Sequence, residues 1–95
     1  MLLEEADKEY KEAAQWYEEK SNRLGFRFID IIETKIKAIQ VHPERYPKRK
    51  ANFREAPVKI FPYIIVYKFY KTKGIITISS IFHSSKNPRR KYKRK

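Results

Sequence analysis

The chain predicts an α+β domain in which an antiparallel helical hairpin packs on a small antiparallel sheet of three strands. Three observations predict it. Up to His42 the apolar residues recur every three or four positions, the period of amphipathic helices. From about Asn52 the pattern becomes that of strands, rich in β-branched and aromatic residues. The two strongest apolar runs are joined by Lys71-Thr72-Lys73-Gly74, a short polar turn suited to a hairpin. With 95 residues, 41% of them hydrophobic, the chain can form one packed core and not two.

The first helix is expected over residues 3–20, where Leu3, Ala6, Tyr10, Ala13 and Tyr17 form a stripe that Ala14 and Trp16 widen. Ser21-Asn22 offers an N-cap for a second helix over 22–41. Its buried side is read as Leu24, Phe28, Ile31, Ile32, Ile36 and Ile39, with Phe26 and Ile29 beside them. Pro43 disfavours helical geometry in the residue before it, so the helix stops near His42. So short a connection makes the two helices an antiparallel pair. A loop, Glu44-Arg45-Tyr46-Pro47-Lys48-Arg49-Lys50, leads into strands over 52–60, 63–71 and 75–83. Pro57 marks the first of these as an edge or bulged strand.

Composition excludes several kinds of chemistry. The chain has no cysteine, hence no disulfide, no cysteine nucleophile and none of the usual structural zinc sites. Its two histidines have no metal-ligand spacing, and its two glycines form no phosphate-binding loop, so no cofactor is expected. Ser79, Ser80, Ser84 and Ser85 read as sheet and turn residues without a triad. No apolar run approaches the roughly 20 residues of a membrane span. The start, Met1-Leu2-Leu3-Glu4-Glu5, lacks the basic segment of a secretion signal. The expectation is a soluble cytoplasmic protein that does not touch membranes.

The net charge of +12 is unevenly spread. Residues 86–95 carry seven of the 23 basic residues and no acid, whereas the first helix is strongly acidic. Clustered charge of this kind faces phosphates through direct contact and counterion release. Arg54, Lys86, Arg89, Arg90, Lys91, Lys93 and Arg94 are therefore candidate target-binding residues. The chemistry left open is metal-free RNA cleavage, in which a base activates the 2′-hydroxyl, cations stabilise the phosphorane and an acid protonates the leaving oxygen. His83 would be the acid or base, Arg54 and Arg89 the charge stabilisers, and Tyr92 a stacking or hydrogen-bonding group. Each has a plainer reading: His83 as a strand-end residue, Arg54 as a surface arginine paired with Glu55 or a helix carboxylate. His42 reads as a helix C-terminal residue favoured by the helix dipole.

One ordered set of motifs is distinctive: Ala6-x-x-Glu9-Tyr10-x-Glu12-Ala13-x-x-Trp16-Tyr17-Glu18, Leu24-Gly25-x-x-Phe28, His42-Pro43-x-x-Tyr46-Pro47, Arg54 before Phe61-Pro62-Tyr63-Ile64-Ile65-Val66-Tyr67, and His83-x-x-Lys86-Asn87-Pro88. This resembles the RelE/ParE superfamily of bacterial type II toxins. The resemblance implies a small α+β toxin, associated with plasmid stabilisation, that an acidic antitoxin wraps and silences. RelE-like members are ribosome-dependent mRNA endonucleases, whereas ParE-like members poison DNA gyrase. The ribonuclease branch usually carries an arginine after the first tyrosine of the Tyr63-Ile64 segment, where this chain has Ile64. The Trp-Tyr-Glu, Leu-Gly-x-x-Phe and Phe-Pro-Tyr signatures also lean to the ParE-like side. The alternatives are a RelE-type endoribonuclease using Arg54, His83 and Tyr92, or an inactive member that only binds antitoxin or nucleic acid. The superfamily normally opens with a strand, and the five residues before Ala6 read here as helix. An open sheet edge is therefore expected, inviting self-association or a strand from the antitoxin.

Overall fold

The computed structural model describes residues 1–85. Two helices, α1 (Glu4–Lys20) and α2 (Leu24–Val41), precede a short 3₁₀ turn at Lys50–Asn52 and the strands β1 (Arg54–Pro57), β2 (Tyr63–Tyr70) and β3 (Ile75–His83). The strands form one antiparallel sheet in the order β1-β2-β3. The α+β layout expected from the two periodicities is the one observed. The basic segment 86–95 lies outside the described residues.

α1 has no side-chain N-cap, but Glu4, Glu5 and Asp7 place negative charge on its first turn, where the helix dipole favours it. The expected cap at Ser21-Asn22 does not form. The residue that flanks α2 is Arg23, in a left-handed conformation with φ 71°, and no side chain of its own caps the helix. Glu18 from α1 takes over: its two carboxylate oxygens accept from the backbone N–H groups of Arg23 and Gly25, both at 3.0 Å. A carboxylate from the neighbouring helix thus satisfies donors that would otherwise be orphaned at the start of α2.

The same place explains the glycine of Leu24-Gly25-x-x-Phe28. A Cβ at Gly25 would lie 2.6 Å from the Ala14 carbonyl oxygen and 2.8 Å from Glu18 Cβ. The first of these neighbours is backbone and cannot swing away. Gly25→Ala is therefore expected to pry the helices apart at their closed end, costing about 2 kcal/mol. Thermal melting should register this as a drop of about 10 °C. An unchanged melting temperature would show that the two helices approach less closely than this.

The core lies between the helical hairpin and one face of the sheet. Ala6, Ala13, Phe28, Ile32, Ile36 and Ile39 meet Ala56, Phe61, Ile65, Tyr67, Ile78 and Ile81 there. Phe28 is its centre, with ring centroids at 5.2 Å from Tyr17, 5.1 Å from Phe61, 5.1 Å from Tyr63 and 6.2 Å from Tyr10. A β-bulge adjusts the third strand to this core. Val66 pairs with Ser80 and Tyr67 with Ile78, so Ser79 is the extra residue. Strict alternation would put Ile78 and Ile81, three apart, on opposite faces. The bulge lets both enter the core, and leaves the buried Ser79 hydroxyl without a hydrogen-bond partner among the described residues.

Two expectations about the sheet need correcting. The first strand is shorter than 52–60, running only from Arg54 to Pro57. Pro57 offers no N–H to continue the ladder, and the chain then turns at Ile60, where Phe61 N–H donates to Lys59 O at 2.7 Å and Ile60 has φ 74°. The second correction concerns the open edge. Among the described residues no strand of several residues precedes α1, but residues 1–3 are extended and not helical. Leu2 forms a parallel bridge with Ile78. Leu3 N–H donates to Ile78 O at 2.9 Å, and Ile78 N–H to Met1 O at 2.7 Å. Further along the same edge, Glu9 accepts from the Ile81 N–H and the Ser80 hydroxyl, each at 3.0 Å. Much of the edge expected to be free for self-association is therefore already satisfied within the chain.

Candidate target-binding site at the end of the sheet

The alternation of β2 sends Tyr63, Ile65 and Tyr67 towards the helices. Tyr63 begins the strand and sits directly across from His83, the last residue of β3. Their rings meet edge-on at 5.1 Å. The chain beyond His83 is folded back: Ser84 N–H donates to Pro62 O at 2.8 Å, and Ser85 N–H to His83 Nδ1 at 3.2 Å. The Ser85 hydroxyl is 2.8 Å from the same nitrogen. Nδ1 thus acts as acceptor, which in the neutral ring leaves the proton on Nε2.

Sequence reasoning picked out His83 but missed the aromatic residues around it. The Tyr63 ring lies 6.2 Å from that of Tyr17, and burial, with smaller contributions from Tyr17 and Glu9, pushes its hydroxyl up to about 12. Burial also raises Tyr17, partly offset by the neighbouring Tyr63 hydroxyl. Both hydroxyls therefore keep their protons at neutral pH, so neither supplies a base. Tyr17 packs edge-on against Trp16 at 5.1 Å and against Phe61 at 4.7 Å. Trp16 is 53% exposed, with Lys20 Nζ 4.9 Å from its ring centre. Ile60, beside Phe61, is 64% exposed. The expectation that Trp16 widens the buried stripe of α1 is corrected: Trp16 lies beside that stripe and faces solvent. The result is a partly exposed apolar corner with an imidazole on its rim.

Arg54 is not part of that corner. It pairs with Tyr67, whereas His83 pairs with Tyr63, four residues away at the other end of β2. At about 3.3 Å per residue and about 4.8 Å per strand, the two backbones are about 16 Å apart. The expectation that Arg54 and His83 share one sheet-end site is corrected by strand direction: β1 begins where β3 also begins, and His83 ends β3. Nor does Arg54 pair with Glu55 or a helix carboxylate. It is 7% exposed, and its Nη1 donates to Tyr46 O at 2.6 Å and Glu44 O at 3.3 Å. Beside it the Tyr67 hydroxyl donates to Pro43 O at 2.7 Å, and burial pushes Tyr67 up to about 12. The two side chains hold down the loop that follows α2. His42 ends α2, as its place in the sequence suggests. Lys86, Arg89, Arg90, Lys91, Tyr92, Lys93 and Arg94 lie outside the described residues, so their place relative to His83 is not part of this geometry.

Among the described residues no group of three His, Cys, Asp or Glu side chains could hold a metal ion, and no helix is long and apolar enough to cross a membrane. The family model for the ParE toxin of the parDE type II toxin-antitoxin system matches residues 1–88. The chain belongs to the ParE toxin family. It is accordingly the toxin of a toxin-antitoxin pair, with an antitoxin as its partner. No curated protein matches it. The Trp-Tyr-Glu and Leu-Gly-x-x-Phe motifs of this ParE-family toxin turn out to serve different ends. Gly25 and Phe28 build the fold, Glu18 caps α2, and Trp16 is left on the surface.

Proposed function

We propose that this ParE-family toxin acts in the cytoplasm by binding its target, DNA gyrase, rather than by cutting mRNA. The observation that carries this reading is the apolar surroundings of His83. Among the described residues its neighbours in the sheet are Tyr63, Ile64 and Phe82, none of them charged. Exposed Trp16 is linked to His83 through the ring contacts of Tyr17 and Tyr63, and exposed Ile60 precedes Phe61 of the same aromatic cluster. Exposed aromatic anchors are the mark of a protein-binding surface, whereas phosphoryl chemistry needs cations around the reacting group. Arg54, the described cation offered for that role, is occupied at the opposite end of the sheet.

A supercoiling assay with purified gyrase, run beside mRNA cleavage on ribosomes, tests the proposal. The wild-type chain should inhibit supercoiling and leave mRNA intact. Trp16→Ala should weaken inhibition about thirtyfold, the loss of about 2 kcal/mol expected of an aromatic anchor. His83→Ala should change it little, because binding requires no proton transfer. Codon-phased cleavage that disappears with His83→Ala would instead support the endoribonuclease reading with Arg54, His83 and Tyr92.

A further inference from the structure

The sheet end away from His83 carries a second surface, and its chemistry is different. The loop after α2 is held there by side chains from beneath: Tyr67 on Pro43 O, and Arg54 on Glu44 O and Tyr46 O. Lys48 forms a bridge with Arg54, so the loop runs briefly as an outer neighbour of β1. Arg49 N–H donates to Phe53 O at 2.6 Å, closing a tight excursion. Inside it Ala51 and Asn52 have φ 56° and 66°. Two successive residues adopt this left-handed conformation only where their surroundings hold them in it. The excursion presents Lys48, Arg49 and Lys50, all exposed.

The turn between β2 and β3 joins the same surface. Lys68 Nζ lies 4.5 Å from the centre of the Phe53 ring, and Lys71 Nζ is 3.7 Å from the Glu44 carboxylate. Lys73 lies in the same exposed turn. Lys48, Arg49, Lys50 and Lys73 have no ion pair among the described residues. Six cations on two segments therefore share this end of the sheet, with two carboxylates near them: Glu44, engaged by Lys71, and the half-buried Glu55 beside Arg54 in β1.

We propose that this face binds the phosphate backbone of duplex nucleic acid without regard to sequence. Its exposed apolar side chains are Tyr70 and Ile75 at the base of the turn and Val41 at the end of α2, whereas Phe53 is 2% exposed beneath Lys68 and Lys35 holds the Tyr46 hydroxyl at 3.1 Å. Phosphate contacts require lysine and arginine at the surface, and a backbone held in place beforehand keeps their ordering cost low. The site is separate from the His83 corner. It does not rest on gyrase being the target.

The full chain and a mixed-sequence DNA duplex of about 20 base pairs, followed by fluorescence anisotropy between about 50 and 200 mM salt, provide the test. Replacing Lys48, Arg49 and Lys50 together by Ala should weaken binding at least about tenfold and reduce the salt slope by about 2 to 3, at about 0.9 per lost phosphate contact. The melting temperature should not move, because these side chains are exposed. Lys71→Ala with Lys73→Ala should act in the same direction, and Lys48→Arg with Lys50→Arg should retain binding. The proposal is overturned if the triple variant binds within about twofold of wild type with an unchanged slope. Failure of the wild-type chain to bind the duplex at low salt, or tighter binding to poly-glutamate than to DNA, would overturn it equally.

Discussion

Phe28→Ala is expected to remove about 4 kcal/mol of stability, enough to leave much of the chain unfolded at 37 °C. Phe28 is fully buried and its ring meets those of Tyr10, Tyr17, Phe61 and Tyr63. These partners come from α1, from the segment before β2 and from β2 itself, so no single element can shift to fill the void. A domain of this size has about 5 to 14 kcal/mol in total. The loss should appear as a drop of roughly 20 °C in melting temperature. Urea unfolding followed by circular dichroism measures it directly. A cost below about 1 kcal/mol would mean that the core collapses around the site, and Phe28 would not be its keystone. Because Tyr17 and Tyr63 support the proposed target-binding corner, a partly folded variant should also lose target binding, unlike Trp16→Ala, which should bind weakly while folding normally.

Arg54→Ala should cost about 3 kcal/mol, chiefly through the two loop carbonyls it leaves unsatisfied. An arginine facing a phosphate would behave in the opposite way, with stability intact and toxicity lost. Here the guanidinium is inward, donating to Glu44 O and Tyr46 O. Arg54→Lys should recover only part of the loss, since an ammonium cannot reproduce the planar fork. Tyr67→Phe removes the neighbouring bond to Pro43 O and should cost about 1 kcal/mol. Both residues restrain one loop, so the double variant should cost less than the sum of the singles. Additive losses would show that the two contacts act independently. Since the same loop presents Lys48, Arg49 and Lys50, Arg54→Ala should also weaken DNA binding although Arg54 does not itself face the duplex.

The layout was legible in the sequence because periodicity reports burial. A repeat of three to four in Ala6, Tyr10, Ala13 and Tyr17, and of two in Tyr63, Ile65 and Tyr67, can only place those residues on one face of a helix or a strand. The two segment types and the antiparallel hairpins followed from short connections. Family membership was legible for a related reason: Gly25, Phe28 and Tyr63 occupy tight places, and their spacing is tied to the packing they serve.

What tertiary structure alone decided is which polar residues meet. Arg54 looks like a surface cation beside Glu55, since a local sequence window does not contain the carbonyls of Glu44 and Tyr46 that it satisfies. Glu18 caps α2 in place of Ser21 and Asn22 because the helices close on each other at Gly25. The short segment at Met1–Leu3 reads as helix by composition, yet it pairs with β3, whose edge N–H and C=O groups need partners. Hydrophobic pattern is a local property, repeated along the chain. Hydrogen-bond and charge partners are single contacts between distant residues, and only the folded backbone brings them together.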